Sequence, residues 1–143
     1  MTIFERIKKF NLPRGEYAVF GSALLDVWGI RKAADLDIIV TPDLFAFLKQ
    51  SGWEERQAHG FPMLSKEEAN VTTVQDEPTD GNYCPDRRQL IKDAVYINEV
   101  PFVKIEEVIA CKKAYDREKD RKDIVAIKKY LSRCGERTPY HVV

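Results

Sequence analysis

The chain has 143 residues, of which 44% are hydrophobic and 32% are charged, a composition typical of a globular protein rather than a disordered one. Its 23 basic and 23 acidic residues give a formal net charge of zero, which excludes a strongly basic nucleic-acid coat protein. We therefore expect one domain over 1–143, with a core over about 17–133 and a loose tail over 135–143.

The predicted elements of the first half are helices and short strands in alternation. They are a helix over 2–10, a strand over 17–20, a helix over 23–28, a strand over 35–40 and a helix from 42 to near 52. Gly29 ends the second of these helices, and Thr41 can cap the third, with Pro42 at its first position.

The second half is richer in strands and ends in helix. The predicted elements are strands over 62–64 and 71–74 that pair through 65–70, a mobile segment over 76–89, strands over 94–97 and 100–103 joined by a turn, and a helix from 105 to about 133 interrupted near 115–118. This order predicts the α/β (α+β) class: a mixed β-sheet flanked by helices, with a C-terminal helical segment.

The three cysteines are scattered and form no CxxC pair, which excludes a disulfide framework and argues against a structural zinc site. No run of about 18 apolar residues is present, and the N-terminus lacks the apolar core of a signal peptide. We therefore expect a cytoplasmic protein with reduced thiols and no membrane partner. We expect Cys111, on the final helix, to be a core residue rather than a nucleophile.

One short motif carries most of the chemistry. Gly21-Ser22 follows the first strand directly, and Asp35-Leu36-Asp37 begins the next strand after twelve intervening residues. Gly21 lets the backbone approach a phosphate closely because it has no Cβ, and the free N–H groups of the helix that Ser22 opens favour an anion. Asp35 and Asp37 share one strand face, about 7 Å apart. Such a carboxylate pair favours a hard cation such as Mg²⁺, so the pattern predicts a metal–nucleotide site.

Each part of this motif also has a purely structural explanation, because glycine often follows a strand and Asp-x-Asp can decorate a solvated strand edge. Their joint occurrence, in this order, favours the functional explanation. With it the chain resembles the nucleotidyltransferase fold superfamily, the DNA polymerase β-like group. Residues 107–124 further resemble the closing segment of its small bacterial stand-alone members, a helical Lys followed by Arg-x-Lys-Asp-x-x-Asp. The matching residues are Lys112, Arg117, Lys119, Asp120 and Asp123.

The resemblance implies an enzyme that transfers a nucleoside monophosphate from a nucleoside triphosphate such as ATP to an acceptor hydroxyl, with Mg²⁺ or Mn²⁺ as cofactor. The roles it implies are metal binding by Asp35 and Asp37, a cradle for the β and γ phosphates at Gly21 and Ser22, and a phosphate contact from Lys112 or Lys119. Without the resemblance, these two lysines would be interpreted as part of a solvated helix face.

A third carboxylate normally completes such a site. Asn70 or Thr72 stands where that carboxylate is usual, and Asp76, just beyond, is the predicted third catalytic acid. Glu67 and Glu68 are the other candidates. If none of them reaches the metals, the chain is a catalytically weak nucleotide-binding module that acts as a regulatory or partner subunit.

The sequence leaves three alternatives for the acceptor: a small molecule such as an aminoglycoside, a protein side chain or an RNA end. Because the chain lacks a large extra helical domain, we expect a homodimer or a partner subunit to complete the acceptor site. A third alternative is a plain α/β domain in which Asp35 and Asp37 face bulk water. Arg87 and Arg88, in a polar loop, are expected to be solvated.

Overall fold

A seven-stranded mixed sheet is the centre of the fold, as seen in a computed structural model that describes residues 1–58, 61–73 and 85–134. The strands are β1 (Tyr17–Phe20), β2 (Leu36–Val40), β3 (Glu54–Ala58), β4 (Phe61–Lys66), β5 (Ala69–Thr72), β6 (Val95–Ile97) and β7 (Val100–Phe102). The helices are α1 (Ile3–Lys8), α2 (Ser22–Val27), α3 (Pro42–Gln50), α4 (Arg87–Lys92), α5 (Ile105–Tyr115) and α6 (Glu118–Cys134). This architecture confirms the predicted fold class.

The strand order is β3-β4-β5-β2-β1-β7-β6, with β2 near the centre. β2 runs antiparallel to β1 and parallel to β5, while β1 runs parallel to β7. In this register Phe20 pairs with Asp37, and Asp37 pairs with Asn70 on the other side. The C-terminal end of β1 therefore lies beside the beginning of β2.

The two faces of β2 contribute to two hydrophobic clusters. Leu36, Ile38 and Val40 belong to the larger cluster, which includes residues of α1, α2, α3, α5 and α6. Ile39 belongs to a smaller cluster that includes two residues of α4. Asp37 shares the face of Ile39, because side chains alternate along a strand. Leu36 and Ile38 are therefore buried in the larger cluster, while the opposite face of β2 carries the carboxylate of Asp37.

Most predicted elements are confirmed with shifted ends. β2 begins at Leu36 rather than at Asp35, and β4 and β5 form the predicted pair with a turn of only two residues. The side chain of Thr41 caps α3 by accepting a hydrogen bond from the Leu44 N–H at 3.3 Å. The final helix is interrupted as predicted, because Asp116 ends α5 with a left-handed φ of 52°.

Two elements were not predicted, the strand β3 and the helix α4. β3 lies before the predicted strand over 62–64, and α4 overlaps the end of the segment over 76–89 that was predicted to be mobile. Asp86 begins α4 by accepting hydrogen bonds from the N–H groups of Arg88 and Gln89. The segment 74–84 and the tail 135–143 lie outside the described residues. Within the described ranges, no helix has both the length and the apolar character that crossing a membrane requires.

The turn between β6 and β7 offers a stability test. Asn98 and Glu99 both adopt left-handed backbone, with φ of 47° and 67°, as in type I′ hairpin turns. Because a non-glycine residue pays about 1 kcal/mol or more for this conformation, Glu99→Gly should raise the free energy of unfolding by roughly 0.5–1 kcal/mol in denaturant titration. Lys122→Gly, inside α6, should instead lower it by about 1 kcal/mol. A loss at position 99 would contradict this assignment of the turn.

Candidate functional site

A cavity of about 480 Å³ opens where β1 ends, and both sheet residues and helix residues form its wall. Its size is within the range of small-molecule sites. The predicted site residues that line it are Gly21, Ser22, Asp37, Lys112 and Lys119. Asp35 is not part of the wall, and Asp76 lies outside the described residues. The fold thus brings together residues that are far apart in the sequence.

Gly21 forms the junction between β1 and α2. Its φ of 78° and ψ of −132° lie in a region that side-chain-bearing residues rarely adopt. A Cβ placed on Gly21 would lie 3.8 Å from Oδ2 of Asp37, so the bare backbone lies beside the carboxylate. α2 has only six residues, so its dipole is weak and the neighbouring charged side chains matter more.

Asp37 carries the most perturbed carboxylate beside Gly21. Its side chain is exposed to the cavity, while protein atoms surround it on its other sides. Burial, followed by the negative charge of Asp35, raises its pKa to about 6, although a hydrogen bond from Asn70 and the charges of Lys112 and Lys119 oppose the rise. At neutral pH Asp37 is thus an ionised acid with incomplete compensation, and a cation would stabilise it.

A hydrogen-bonded row holds Asp37 in place across three strands. Ser65 Oγ on β4 donates to Asn70 Oδ1 on β5 at 2.7 Å, and the Asn70 side chain in turn hydrogen-bonds to Asp37. The sheet register aligns these residues, because Asn70 pairs with both Ser65 and Asp37. Asn70 therefore supplies a neutral hydrogen-bond donor at a position where the family resemblance implies a third acid.

The other candidates for that acid lie elsewhere. Glu67 and Glu68 form the β4–β5 turn, outside the cavity wall, and make surface ion pairs of 3.7 Å with Lys9 and Arg6. Asp76 stays a prediction. Among the residues that the structure describes, no group of three acidic, histidine or cysteine side chains is arranged to hold a metal ion.

The donor set nevertheless fits Mg²⁺ or Mn²⁺ in part. Asp35 lies immediately before β2, exposed, and its charge acts on Asp37. Mg²⁺ commonly takes one or two carboxylates from a protein and completes its shell with water and substrate phosphates. Asp37 beside the half-buried backbone of Gly21, with Asp35 two positions earlier in the chain, matches that requirement, with the remaining ligands left to a bound substrate.

A network of charged side chains lines the cavity beside Ser22; Lys112 and Asp123 in it are buried, while the Arg31 side chain is 40% exposed. Arg31 donates from Nε and Nη2 to the two oxygens of Asp123 at 2.8 and 2.7 Å, and from Nη2 to Ser22 Oγ at 2.8 Å. Lys112 Nζ donates to Oδ2 of Asp123 at 2.8 Å. Because Ser22 Oγ accepts from Arg31, its own proton is available to an acceptor inside the cavity. Arg31, which lies between the predicted helix over 23–28 and the predicted strand over 35–40, is thus a site residue that the sequence did not predict.

The network depends on the break between α5 and α6. Lys112 on α5 and Asp123 on α6 meet because the chain turns at Asp116, at the predicted interruption of the final helix. Asp120 is also buried and accepts from Arg117 Nε at 2.6 Å. Burial would raise the pKa of Asp123, yet hydrogen bonds from Arg31 and Lys112 outweigh it and hold that pKa at about 2. Asp123 is therefore a fixed negative charge at any physiological pH.

Two further residues of the cavity wall, Arg87 and Cys111, lie in surroundings that differ from the sequence predictions. Arg87, expected to be solvated, begins α4 and donates from Nη1 to Thr72 Oγ1 at 2.7 Å. Cys111 was predicted to be a core residue, but it is half-buried in the cavity wall and belongs to neither hydrophobic cluster of the described residues. Burial raises the pKa of its thiol to about 11, so the thiol stays protonated.

The pair Lys112–Asp123 predicts a large stability effect. Lys112→Met should lower the free energy of unfolding by about 3 kcal/mol, because it removes one partner from a buried ion pair. Lys122→Met is the matched control, since the Lys122 side chain is 76% exposed and its ion pair with Glu118 contributes at most about 0.5 kcal/mol. Urea titration measures both variants. Equal losses would show that the buried network does not stabilise the fold.

Asp37 predicts a pH-dependent stability with the opposite sign from that of a salt-bridged acid. Its folded pKa, about 6, exceeds the usual value of about 4, so its ionisation destabilises the folded state as pH rises from about 4 to 6. Asp37→Asn should therefore be more stable than the wild type at pH 7.5, and the gain should vanish below about pH 4. Thermal unfolding across this range measures it. Asp43→Asn, on the exposed surface of α3, should show no such gain, and neither should Asp37→Asn if this assignment fails.

Comparison of the chain with protein-family models, with curated proteins and with solved structures gives no significant match in any of the three.

Proposed function

We propose that the chain is a Mg²⁺- or Mn²⁺-dependent nucleotidyltransferase that moves a nucleoside monophosphate from a nucleoside triphosphate to an acceptor hydroxyl. One observation carries the proposal: an undercompensated acid, Asp37, lies beside the bare backbone of Gly21, and Arg31 of the charged network donates to the neighbouring Ser22. A carboxylate for a metal, that of Asp37, and donors for phosphate oxygens thus line one cavity, while Asp35 lies outside its wall. The resemblance in the Gly21–Asp37 region supports the same reaction.

Each of these residues has a role in this reaction. Asp37, with Asp35 nearby, would hold the metal ion, which supplies positive charge to the phosphates when bound. Ser22 donates its hydroxyl proton to a phosphate oxygen, and Arg31 fixes that orientation by donating to Oγ. Lys119, which lines the cavity on an exposed part of α6, adds positive charge for the triphosphate.

The reaction is an in-line displacement at the α-phosphorus. A bond forms from the acceptor oxygen, the bond to the bridging oxygen breaks, and pyrophosphate leaves. The acceptor proton passes to a base, for which Asp76 is the predicted candidate. The acceptor itself (a small molecule, a protein side chain or an RNA end) and a homodimer or partner subunit that would complete its site belong to this proposal.

A second candidate function is nucleotide binding without efficient transfer. Asn70 favours it, because its amide donates to Asp37 where a third acid would otherwise share the metals. Such a module would act as a regulatory or partner subunit. Turnover distinguishes the two candidates: both bind a triphosphate with Mg²⁺, and only the enzyme releases pyrophosphate when offered an acceptor.

Gly21→Ala tests the site directly. A methyl group there would enter the space beside Asp37 Oδ2 and strain the backbone, so affinity for a Mg²⁺–nucleoside triphosphate should fall at least about tenfold, or 1.4 kcal/mol, in titration calorimetry. Gly29→Ala is the control, since Gly29 has a similar φ of 76° but open space around it. It should lose stability but keep wild-type affinity.

The outcomes separate three functions. Binding with pyrophosphate release in the wild type, both weakened in Gly21→Ala, supports the enzyme. Binding without release, across acceptors of all three classes, supports the module. No binding of any nucleoside triphosphate with Mg²⁺ or Mn²⁺ overturns both and favours a plain α/β domain.

A further inference from the structure

The cavity has two chemically different ends. The end beside Gly21 carries the charged network, while the other end is lined by apolar side chains from β2, β4 and α4. Phe61 and Met63 of β4 form much of this second end. Both are only half-buried, and among the described residues neither belongs to the two hydrophobic clusters. Their apolar surface faces the cavity rather than stabilising a core.

The sheet fixes how far this apolar end lies from Asp37. Phe61, Met63 and Ser65 share one face of β4, because alternate residues of a strand point the same way, and Ser65 pairs with Asn70 beside Asp37. β4 is the second strand from β2, which puts Ser65 roughly 10 Å from Asp37 across the sheet at about 4.8 Å per strand. Met63 lies two residues further along β4, so its backbone is roughly 12 Å from that of Asp37. A group attached to the α-phosphate through a sugar reaches that distance.

A polar edge accompanies the apolar surface. Thr72 Oγ1 on β5 accepts a hydrogen bond from Arg87 Nη1 at 2.7 Å, which leaves the Thr72 hydroxyl proton free to donate into the cavity. Ile39 and Leu90, both buried, also line the cavity. Apolar faces with a few polar groups at the rim suit a flat heteroaromatic ring, which stacks through its faces and hydrogen-bonds through its edge.

We propose that this end of the cavity, formed by Phe61, Met63, Ile39, Leu90 and Thr72, is the subsite that binds the nucleobase of the nucleoside triphosphate. This inference rests on the proposed function, because it takes the phosphates to lie at Gly21 and Ser22. The base is covalently tied to those phosphates, so its position is limited to their neighbourhood. The acceptor is not tied in this way, and we place it outside the apolar end.

The test compares two ligands that share phosphates and differ in the base. Affinities are measured by titration calorimetry with Mg²⁺ for inorganic tripolyphosphate and for the tightest-binding of ATP, GTP, CTP and UTP. Phe61→Ala should weaken the nucleotide about tenfold, from the loss of base stacking, and leave tripolyphosphate unchanged within about twofold. Phe61→Tyr, which keeps the ring, should retain most of the nucleotide affinity, and Met63→Ala should weaken the nucleotide less than Phe61→Ala.

Phe47→Ala is the matched control. Phe47 is 63% exposed on α3 and is not part of the cavity wall, so the same truncation there should change neither affinity. Thermal unfolding of each variant checks that it is folded at the temperature of the titration. Met63→Ala and Phe61→Tyr give the same readout if Phe61→Ala does not fold.

Four results would overturn the proposal. Unchanged nucleotide affinity in both Phe61→Ala and Met63→Ala would assign the apolar end to the acceptor or to no ligand. Parallel loss of nucleotide and tripolyphosphate would show a merely structural role for these side chains. A wild type that binds neither ligand would overturn the proposed function and this inference together, whereas tripolyphosphate binding that nucleotides do not exceed would overturn the base subsite alone.

Discussion

The carboxylate of Asp123 is the interaction on which the geometry of the site depends. It accepts two hydrogen bonds from the Arg31 guanidinium and one from the Lys112 ammonium, and its own side chain and that of Lys112 are buried. Through Arg31 it reaches the hydroxyl of Ser22 at the beginning of α2. One acid on α6 thereby positions residues of α2, of the loop after it and of α5. A buried charge with this many partners has little freedom to move, so the cavity wall is rigid on this side.

The electrostatic surroundings of Asp37 shift its pKa in the opposite direction from that of Asp123. Asp123 is overcompensated by cations and its pKa is low, whereas Asp37 is partly buried beside a second acid and its pKa is raised. The fold thus stabilises one carboxylate and leaves the other in deficit of positive charge. Such a deficit opposes folding, and its placement at a cavity beside Gly21 is what a cation-binding function would require. Stability and ligand binding make opposite demands on the same side chain.

Asn70 lies between the charged residue Asp37 and the apolar end of the cavity. Its side-chain amide donates a hydrogen bond to Asp37, and its strand β5 continues to Thr72, which lies beside the apolar end of the cavity. The central row of the sheet therefore separates a charged region from an apolar one. A ligand that fills the cavity has to present negative charge on one side and an apolar surface on the other, and a nucleotide has both.

The sequence by itself determined the local elements and the motif. The β-rich run over 35–40 predicted β2, the cap at Thr41 predicted α3, and the motif from Gly21 to Asp37 predicted a carboxylate site beside a glycine turn. These features depend on residues close along the chain, where periodicity and capping are informative. α4 was missed because its apolar residues face a cluster built from distant strands, which no local pattern reveals.

Only the tertiary structure decided which charged residues meet. Arg31 and Asp123 are 92 positions apart, and their contact arises because α5 and α6 fold back on the sheet at the left-handed turn of Asp116. The same turn placed Lys112 against Asp123 by a route that a continuous helix would not give. Long-range ion pairs have no periodic signature in one sequence, because any of the 23 basic side chains could pair with any of the 23 acidic ones until packing selects a partner.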